Sequence, residues 1–289
     1  MSRRVIIFGA GGQDGHYLTN LCQREGYEVI GIGRHEKRPR RLATYTDVSE
    51  LMLTHQPAYV FHLAANSTTD HSAAEENHHT IGTGTFNILE SVYKHSRKTR
   101  VFLAGSGLQI SPWRIRESGV YVAARNYSKL LAQYYFGLGI KVFFGYFFHH
   151  ESPLRKARHV SQIVATAARK AATGEKFRLE LGDLSVEKEW TFAGDMMEAV
   201  WTLVNQDKIM VADLGTGEAQ SIEEWADECF AAVRLDWRDY ITGKTGFVPE
   251  YGRLVANPRN IFSLGWRPKV SFGDLARMMV DGDLEVAAV

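Results

Sequence analysis

The sequence predicts an α/β fold built on a doubly wound parallel sheet, and three observations carry that prediction. Short apolar, β-branched runs alternate with amphipathic stretches of helical length through the first third of the chain, the pattern of successive βαβ units. The first run ends in Gly9-Ala10-Gly11-Gly12-Gln13-Asp14-Gly15, directly before a helical pattern. The third continues into the small residues Ala64-Ala65-Asn66-Ser67, at the carboxyl end of a strand, where open α/β sheets bind ligands.

Taken in order, Val5–Phe8, Glu28–Ile32, Tyr59–Leu63, Arg100–Leu103 and Lys141–Tyr146 read as strands. Between them Gly15–Arg24, Ile81–His95 and Val122–Phe136 place apolar side chains at i, i+3, i+4 and i+7, which predicts helices packed on the sheet. After His149-His150-Glu151-Ser152-Pro153 the alternation weakens, and helices are expected at Val160–Thr173, Gly194–Asn205 and Ile222–Val233. Val211–Leu214 followed by Gly215-Thr216-Gly217 again reads as a strand ending in a turn. The expected division is residues 1–150 and a smaller mixed α/β region, residues 151–289, with segments near 194–217 returning to the first sheet.

Composition narrows the function. The length of 289 residues exceeds what one small core organises. The 34 Lys+Arg against 33 Asp+Glu leave a net charge of +1, so no basic domain is present to hold a nucleic-acid backbone. No apolar run approaches the roughly 18 residues that span a bilayer. Only Cys22 and Cys229 are present, and Met1-Ser2-Arg3-Arg4-Val5 runs into an apolar strand without a signal-peptide pattern. A cytoplasmic protein without disulfides, nucleic acid, membrane or metal is expected.

The glycines point to a dinucleotide. Gly9, Gly12 and Gly15 permit a tight turn, close approach of backbone to a pyrophosphate and close packing of helix on strand, in the manner of a Rossmann-type fold. Gln13 and Asp14 lie on that turn, and Leu63, Ala64 and Ala65 provide a surface for the cofactor. The second strand ends in Gly33-Arg34-His35-Glu36-Lys37-Arg38, with no carboxylate at the tip itself. Arg34, helped by Lys37 or Arg38, suits a 2′-phosphate, which predicts NADP(H). NAD stays open through Glu36 as a ribose partner.

Several motifs resemble known enzymes. Glycines 9, 12 and 15, His62-Leu63-Ala64-Ala65, and a Tyr-x-x-x-basic pair resemble the extended short-chain dehydrogenases/reductases. Gly12-Gln13-Asp14-Gly15, His150-Glu151-Ser152-Pro153, Leu181-Gly182-Asp183-Leu184 with Trp190, and Leu264-Gly265-Trp266-Arg267-Pro268 are similar to the GDP-mannose 4,6-dehydratase family. The likeness spans nearly the whole chain. The short segment from Arg34 to Tyr59 is similar to the sister GDP-4-keto-6-deoxy-mannose reductases. The resemblance implies a nicotinamide enzyme of nucleotide diphosphate sugars, GDP-linked, pairing as a homodimer or higher homo-oligomer.

It also implies catalytic roles. Tyr121 matches the family's proton-transferring tyrosine, and Arg125, four residues on and on the same helix face, stands where the family has lysine. Arginine supplies charge and can hold the cofactor ribose, but its planar fork does not reproduce an ammonium. Lys129 lies one turn further, and a shifted register would align it with the family lysine. Ser106 fills the family's Ser/Thr position. Two residues later a 4,6-dehydratase carries the Glu that removes a proton beside the transient ketone, and this chain has Leu108. Leucine transfers no proton, so reduction of a 4-keto sugar is favoured over dehydration, with dehydration or epimerisation through a displaced acid/base as the alternative. His71, His149 and His150 are candidates for such a base. Both departures also fit a catalytically decayed nucleotide-binding protein. For the diphosphate, Arg155, Arg158 and Arg253 are the candidates because guanidinium matches phosphate bidentately. His149 and Glu151 mark the stretch expected to face the substrate.

Overall fold

The structure, a computed structural model, describes residues 2–33, 42–110 and 119–284. In chain order its first elements are β1 (Arg4–Phe8), α1 (Gln13–Arg24), β2 (Glu28–Ile32), α2 (Tyr45–His55), β3 (Tyr59–His62), α3 (Ala74–Asn77), α4 (Gly84–His95), β4 (Arg100–Ser106), α5 (Gly119–Gly137) and β5 (Lys141–Phe147). There follow β6 (His150–Glu151), α6 (Val160–Ala172), β7 (Leu179–Leu181), β8 (Glu187–Lys188), β9 (Thr191–Phe192), α7 (Ala193–Val204), β10 (Val211–Leu214) and β11 (Gln220–Ser221). The last are α8 (Ile222–Ala232), β12 (Ile241–Gly243), β13 (Arg253–Leu254), α9 (Arg259–Ser263) and α10 (Phe272–Asp281). The chain packs as two compact units, one of Met1–Phe147, Met197–Leu214 and Pro258–Trp266, the other of Phe148–Met196, Gly215–Asn257 and Arg267–Val289.

The first unit is a six-stranded parallel sheet in the order β10-β5-β4-β3-β1-β2. Its central strands are covered on both faces, so they read as continuous apolar runs rather than alternating ones: Val5, Ile6, Ile7, Phe8, Val60 and Phe61 are all fully or almost fully buried. Val48, Leu51 and Met52 of α2, Ile88, Leu89 and Val92 of α4, and Ala132 and Tyr135 of α5 share one core cluster with Ile6, Val60, Val101 and Val142. Tyr59 and Phe61 meet Tyr27 and Trp201 ring to ring. Arg100 holds the segment leading to β10, its guanidinium donating to the carbonyls of Val204 (2.6 Å) and Gln206 (2.5 Å) and pairing with Asp207 at 2.6 Å.

Strand order reverses at β1, with β2 on one side and β3 on the other. That reversal opens a crevice at the carboxyl ends of β1 and β3, where a doubly wound sheet takes its ligand.

Three departures from the expected elements bear on the packing. Residues 45–55, within the short segment that separates Arg34 from Tyr59, form α2, whose apolar contribution is too short for periodicity to stand out. Residues 81–95 are not one helix: His78–Thr83 is a π-turn and α4 starts at Gly84. A Cβ on Gly84 would lie 2.6 Å from Leu42 Cγ, so a side chain there would have to displace Leu42. α10 is an element that the sequence pattern does not predict, although Ser271 caps it by accepting Asp274 N at 3.2 Å.

In the second unit β8 lies between β11 and β13, β7 pairs with β12, and β6 with β9. Trp190 and Trp225 stack at 4.4 Å between ring centroids and Phe272 of α10 leans on both. Asp195 accepts the backbone N–H groups of Lys269 and Val270 at 2.8 and 2.9 Å, which fixes the approach to α10. Among the described residues no helix is long and apolar enough to cross a membrane.

Candidate active site

The crevice of the first unit is built from glycines. Gly9 has φ +97°, a conformation other residues rarely adopt, and a Cβ there would lie 2.8 Å from Ala64 N. A Cβ on Gly15 would collide with the Gly9 carbonyl oxygen, so α1 packs directly on the turn. Gly9 N and Ala10 N donate to Ile32 O, and Gly12 N to Gly9 O at 3.0 Å. Gly12 is the N-cap of α1 and offers no side-chain acceptor. The N-terminus of α1 thus points its positive dipole end at the turn, as anion sites at helix N-termini do, and a Cβ built on Gly11 would meet nothing within 4 Å. A pyrophosphate fits this cradle by its chemistry. Gln13 and Asp14 bond to one another at 3.2 Å, and Leu63 and Ala64 line the neighbouring strand end. Arg34, Glu36, Lys37 and Arg38 lie outside the described residues.

β4 carries Ser106 and α5 carries Tyr121 and Arg125, and one guanidinium ties the two elements together. Arg125 is buried, 4% exposed; it donates to the Ala104 carbonyl and its Cζ lies 5.3 Å from the Tyr121 ring centroid. Its Nε has no partner, and among the described residues no carboxylate pairs with it. His62, at the end of β3, does not compensate: burial and then the Arg125 charge push its imidazole down to about 3, so it is neutral. Two residues beyond Ala104, Ser106 accepts Leu108 N through Oγ at 3.3 Å, with its hydroxyl hydrogen free to donate. Lys129 is engaged elsewhere, donating to Tyr146 Oη at 2.8 Å. Tyr127 is exposed on the outside of α5.

In the second unit a charged cluster is buried. Glu151, 1% exposed, accepts from Ser161 Oγ at 2.7 Å and pairs with Arg155 Nε at 3.1 Å, an ion pair too misaligned for a hydrogen bond. Burial opposes its ionisation, but Arg155, Lys188 and the Ser161 hydroxyl together hold the carboxyl below its usual range. Lys188, on a stretch whose sequence fits a solvated turn equally well, is buried on β8 over the Trp190 ring at 4.5 Å. Burial pulls its ammonium down to about 8, against the attraction of Glu151. Two cations thus share one carboxylate, an arrangement that suits an anion. Periodicity gives no sign of Lys188, since β8 is only two residues long.

Of the other candidates, His149 borders this cluster, within reach of the Lys188 and Arg155 charges. His149 bonds Tyr251 Oη through Nε2 at 2.9 Å, and burial followed by the Lys188 and Arg155 charges drives it well below its usual value. His150 is buried with Nδ1 2.7 Å from the Phe148 carbonyl. His71 is exposed at a turn. Arg158 is exposed, and Arg253 is paired with Glu187 at the surface.

Sequence reasoning missed Glu189. Its buried carboxylate gathers the N–H groups of Thr216 (2.7 Å), Gly217 (3.0 Å) and Ala256 (2.6 Å), drawing two loops together. Burial pushes it up to about 7 against those three bonds. A carboxyl raised on folding contributes stability that is complete below its unfolded value of 4.5 and lost as pH rises through about 7. Urea unfolding at pH 5 and pH 8 is expected to show Glu189→Gln losing roughly 3 kcal/mol less than wild type over that interval. Parallel pH profiles for the two proteins contradict this assignment.

Comparison with known proteins adds the lineage. The family model described as GDP-mannose 4,6 dehydratase matches residues 40–279. GDP-mannose 4,6 dehydratase 2 of Arabidopsis thaliana is 30% identical over 325 aligned positions, covering 98% of this chain and 87% of the relative. The human GDP-mannose 4,6 dehydratase is 25% identical, covering 98% and 91%. Among solved structures, RMD from Pseudomonas aeruginosa complexed with NADPH superposes with a TM-score of 0.82 at 18% identity, covering 96% of this chain and 98% of that one. UDP-glucose 4-epimerase of Thermus thermophilus in complex with NAD gives 0.78 at 20%, with the same coverage. At these identities the superpositions speak for the fold.

Proposed function

This chain belongs to the GDP-mannose 4,6 dehydratase family, and from that premise we propose that it is an NADP(H)-dependent enzyme that reduces the 4-keto group of a nucleotide diphosphate sugar, GDP-linked. The observation that carries the choice of reduction is Leu108. Family relatives are dehydratases by name, and dehydration needs an acid/base beside the ketone, a task no leucine side chain performs.

The glycine turn and the N-terminus of α1 would hold the cofactor pyrophosphate, with Leu63, Ala64 and Ala65 against the dinucleotide, and Arg34 is the residue whose chemistry suits its 2′-phosphate. Bound NADPH supplies hydride. Ser106 donates its free hydroxyl hydrogen to the sugar's carbonyl oxygen, and Tyr121 delivers the proton that the reduced oxygen takes up. Arg125, which no carboxylate pairs with among the described residues, stabilises the oxyanion that Tyr121 leaves. In the second unit Arg155 and Lys188 present net positive charge to the diphosphate, with His149, Arg158 and Arg253 as further contacts. Glu151 orders the two cations. Exposed Tyr127, Leu130 and Tyr134 give α5 an apolar face that a homodimer would cover.

Two incubations test the reaction. With NADPH and a GDP-4-keto-6-deoxy sugar, oxidation of NADPH at a stoichiometry of one per sugar is expected. With GDP-mannose and no reductant, no 4-keto-6-deoxy product is expected, and its appearance would return the chain to dehydration.

A further inference from the structure

Ser106 does not hold its place alone. Its backbone N–H donates to Gln109 Oε1 at 2.8 Å, and Gln109 Nε2 donates to Asn126 Oδ1 at 3.1 Å. The chemistry fixes this orientation, because a backbone N–H only donates and must therefore face the carboxamide oxygen. The nitrogen is then turned to Asn126, whose oxygen must accept. Asn126 follows Arg125 on α5 and lies five residues after Tyr121. The side chain of Gln109 thus runs from the residue at the tip of β4 to the helix that carries the tyrosine. Arg125 makes a second tie between the same two elements through the Ala104 carbonyl.

The surroundings are shaped to this strut. A Cβ on Gly105 would sit 2.9 Å from Gln109 Oε1 and would collide with the Phe144 ring, so glycine at 105 leaves room for the carboxamide. Ser106 and Gln109 close a reciprocal cap on the turn Gly107–Gln109, the hydroxyl of Ser106 accepting within the turn and the carboxamide returning to the Ser106 backbone.

We propose that Gln109, braced by Asn126, is a positioning residue that sets Ser106 against Tyr121 for proton transfer. The inference rests on the 4-keto reduction argued above. Gln109 touches no reacting atom; it fixes the distance between two groups that must meet one oxygen.

Steady-state kinetics of the full chain with NADPH and a GDP-4-keto-6-deoxy sugar test it. Gln109→Met keeps the length of the side chain but neither bond. It is expected to lower kcat roughly ten- to hundred-fold, the scale on which a misplacement of about 1 Å acts, with both KM values unchanged. Gln109→Glu still accepts from Ser106, and Asn126 recovers the second bond by turning its amide, so kcat stays near wild type. Combining Gln109→Glu with Asn126→Asp opposes two carboxylates and brings the loss back. In a Ser106→Ala background Gln109→Met costs nothing more, because the group it positions is gone. A wild-type kcat for Gln109→Met, or an equal loss in the Ser106→Ala background, overturns the proposal. If the wild type turns over no 4-keto sugar, the functional reading fails and amide exchange at Ser106 in the NADPH-loaded protein decides the strut. Protection is expected in wild type and Gln109→Glu but not in Gln109→Met, and equal protection in all three overturns it.

Discussion

Tyr121→Phe is expected to lower turnover by about 10²- to 10⁴-fold while NADPH still binds with wild-type affinity. The magnitude is that of removing a positioned proton donor. The separation of the two effects follows from geometry, since Tyr121 lies on α5 whereas the cradle is formed by the β1 turn and α1. Burial of the fold is not at stake, because phenylalanine keeps the ring that Arg125 faces. Fluorescence titration with NADPH and turnover of the 4-keto sugar give the two readouts. A chain that has kept the fold and lost the chemistry would be indifferent to the substitution. Unchanged turnover in an active wild type would remove Tyr121 from the mechanism.

Glu151→Ala is expected to destabilise the protein by about 3–5 kcal/mol, the cost of breaking a buried ion pair from one side. Arg155 and Lys188 are then left facing each other without their carboxylate. For the unit that holds them this corresponds to a fall in Tm on the order of 10 °C. Adding Lys188→Met is expected to recover part of the loss, because it removes one uncompensated charge. The pH dependence has a defined sign. A carboxyl held below its unfolded value contributes stability above about pH 4.5 that is lost as pH falls through the folded value. The alanine variant should therefore lack that acid limb. Had Glu151 served only to contact the sugar nucleotide, Glu151→Ala would melt with wild type and raise KM alone, so one thermal scan separates the two roles.

The Glu151 case illustrates where sequence reasoning reached its limit. His150-Glu151-Ser152-Pro153 was legible as a motif, yet a motif does not say whether its carboxylate faces a ligand or a core. Burial of Glu151 against Ser161, Arg155 and Lys188 depends on residues up to 37 positions away. Gln109 was silent for the same reason, since its partners are a backbone N–H three residues back and a side chain 17 residues on.

What the sequence determined by itself is the layered part of this protein. The fully covered strands of the parallel sheet, the helices of the first βαβ units and the glycine turn at Gly9–Gly15 are encoded locally, because burial on both faces and positive φ restrict which residues a short segment can hold. Leu108, a single residue, is also legible there, and the proposed choice of reduction rests on it. Only the tertiary structure decided that Arg125 spends a hydrogen bond on Ala104, that Lys129 belongs to Tyr146, and that Lys188 and Glu189 are buried charges. Each depends on groups that separate elements bring together, and which elements meet is set by packing within the whole unit rather than by any stretch of neighbours.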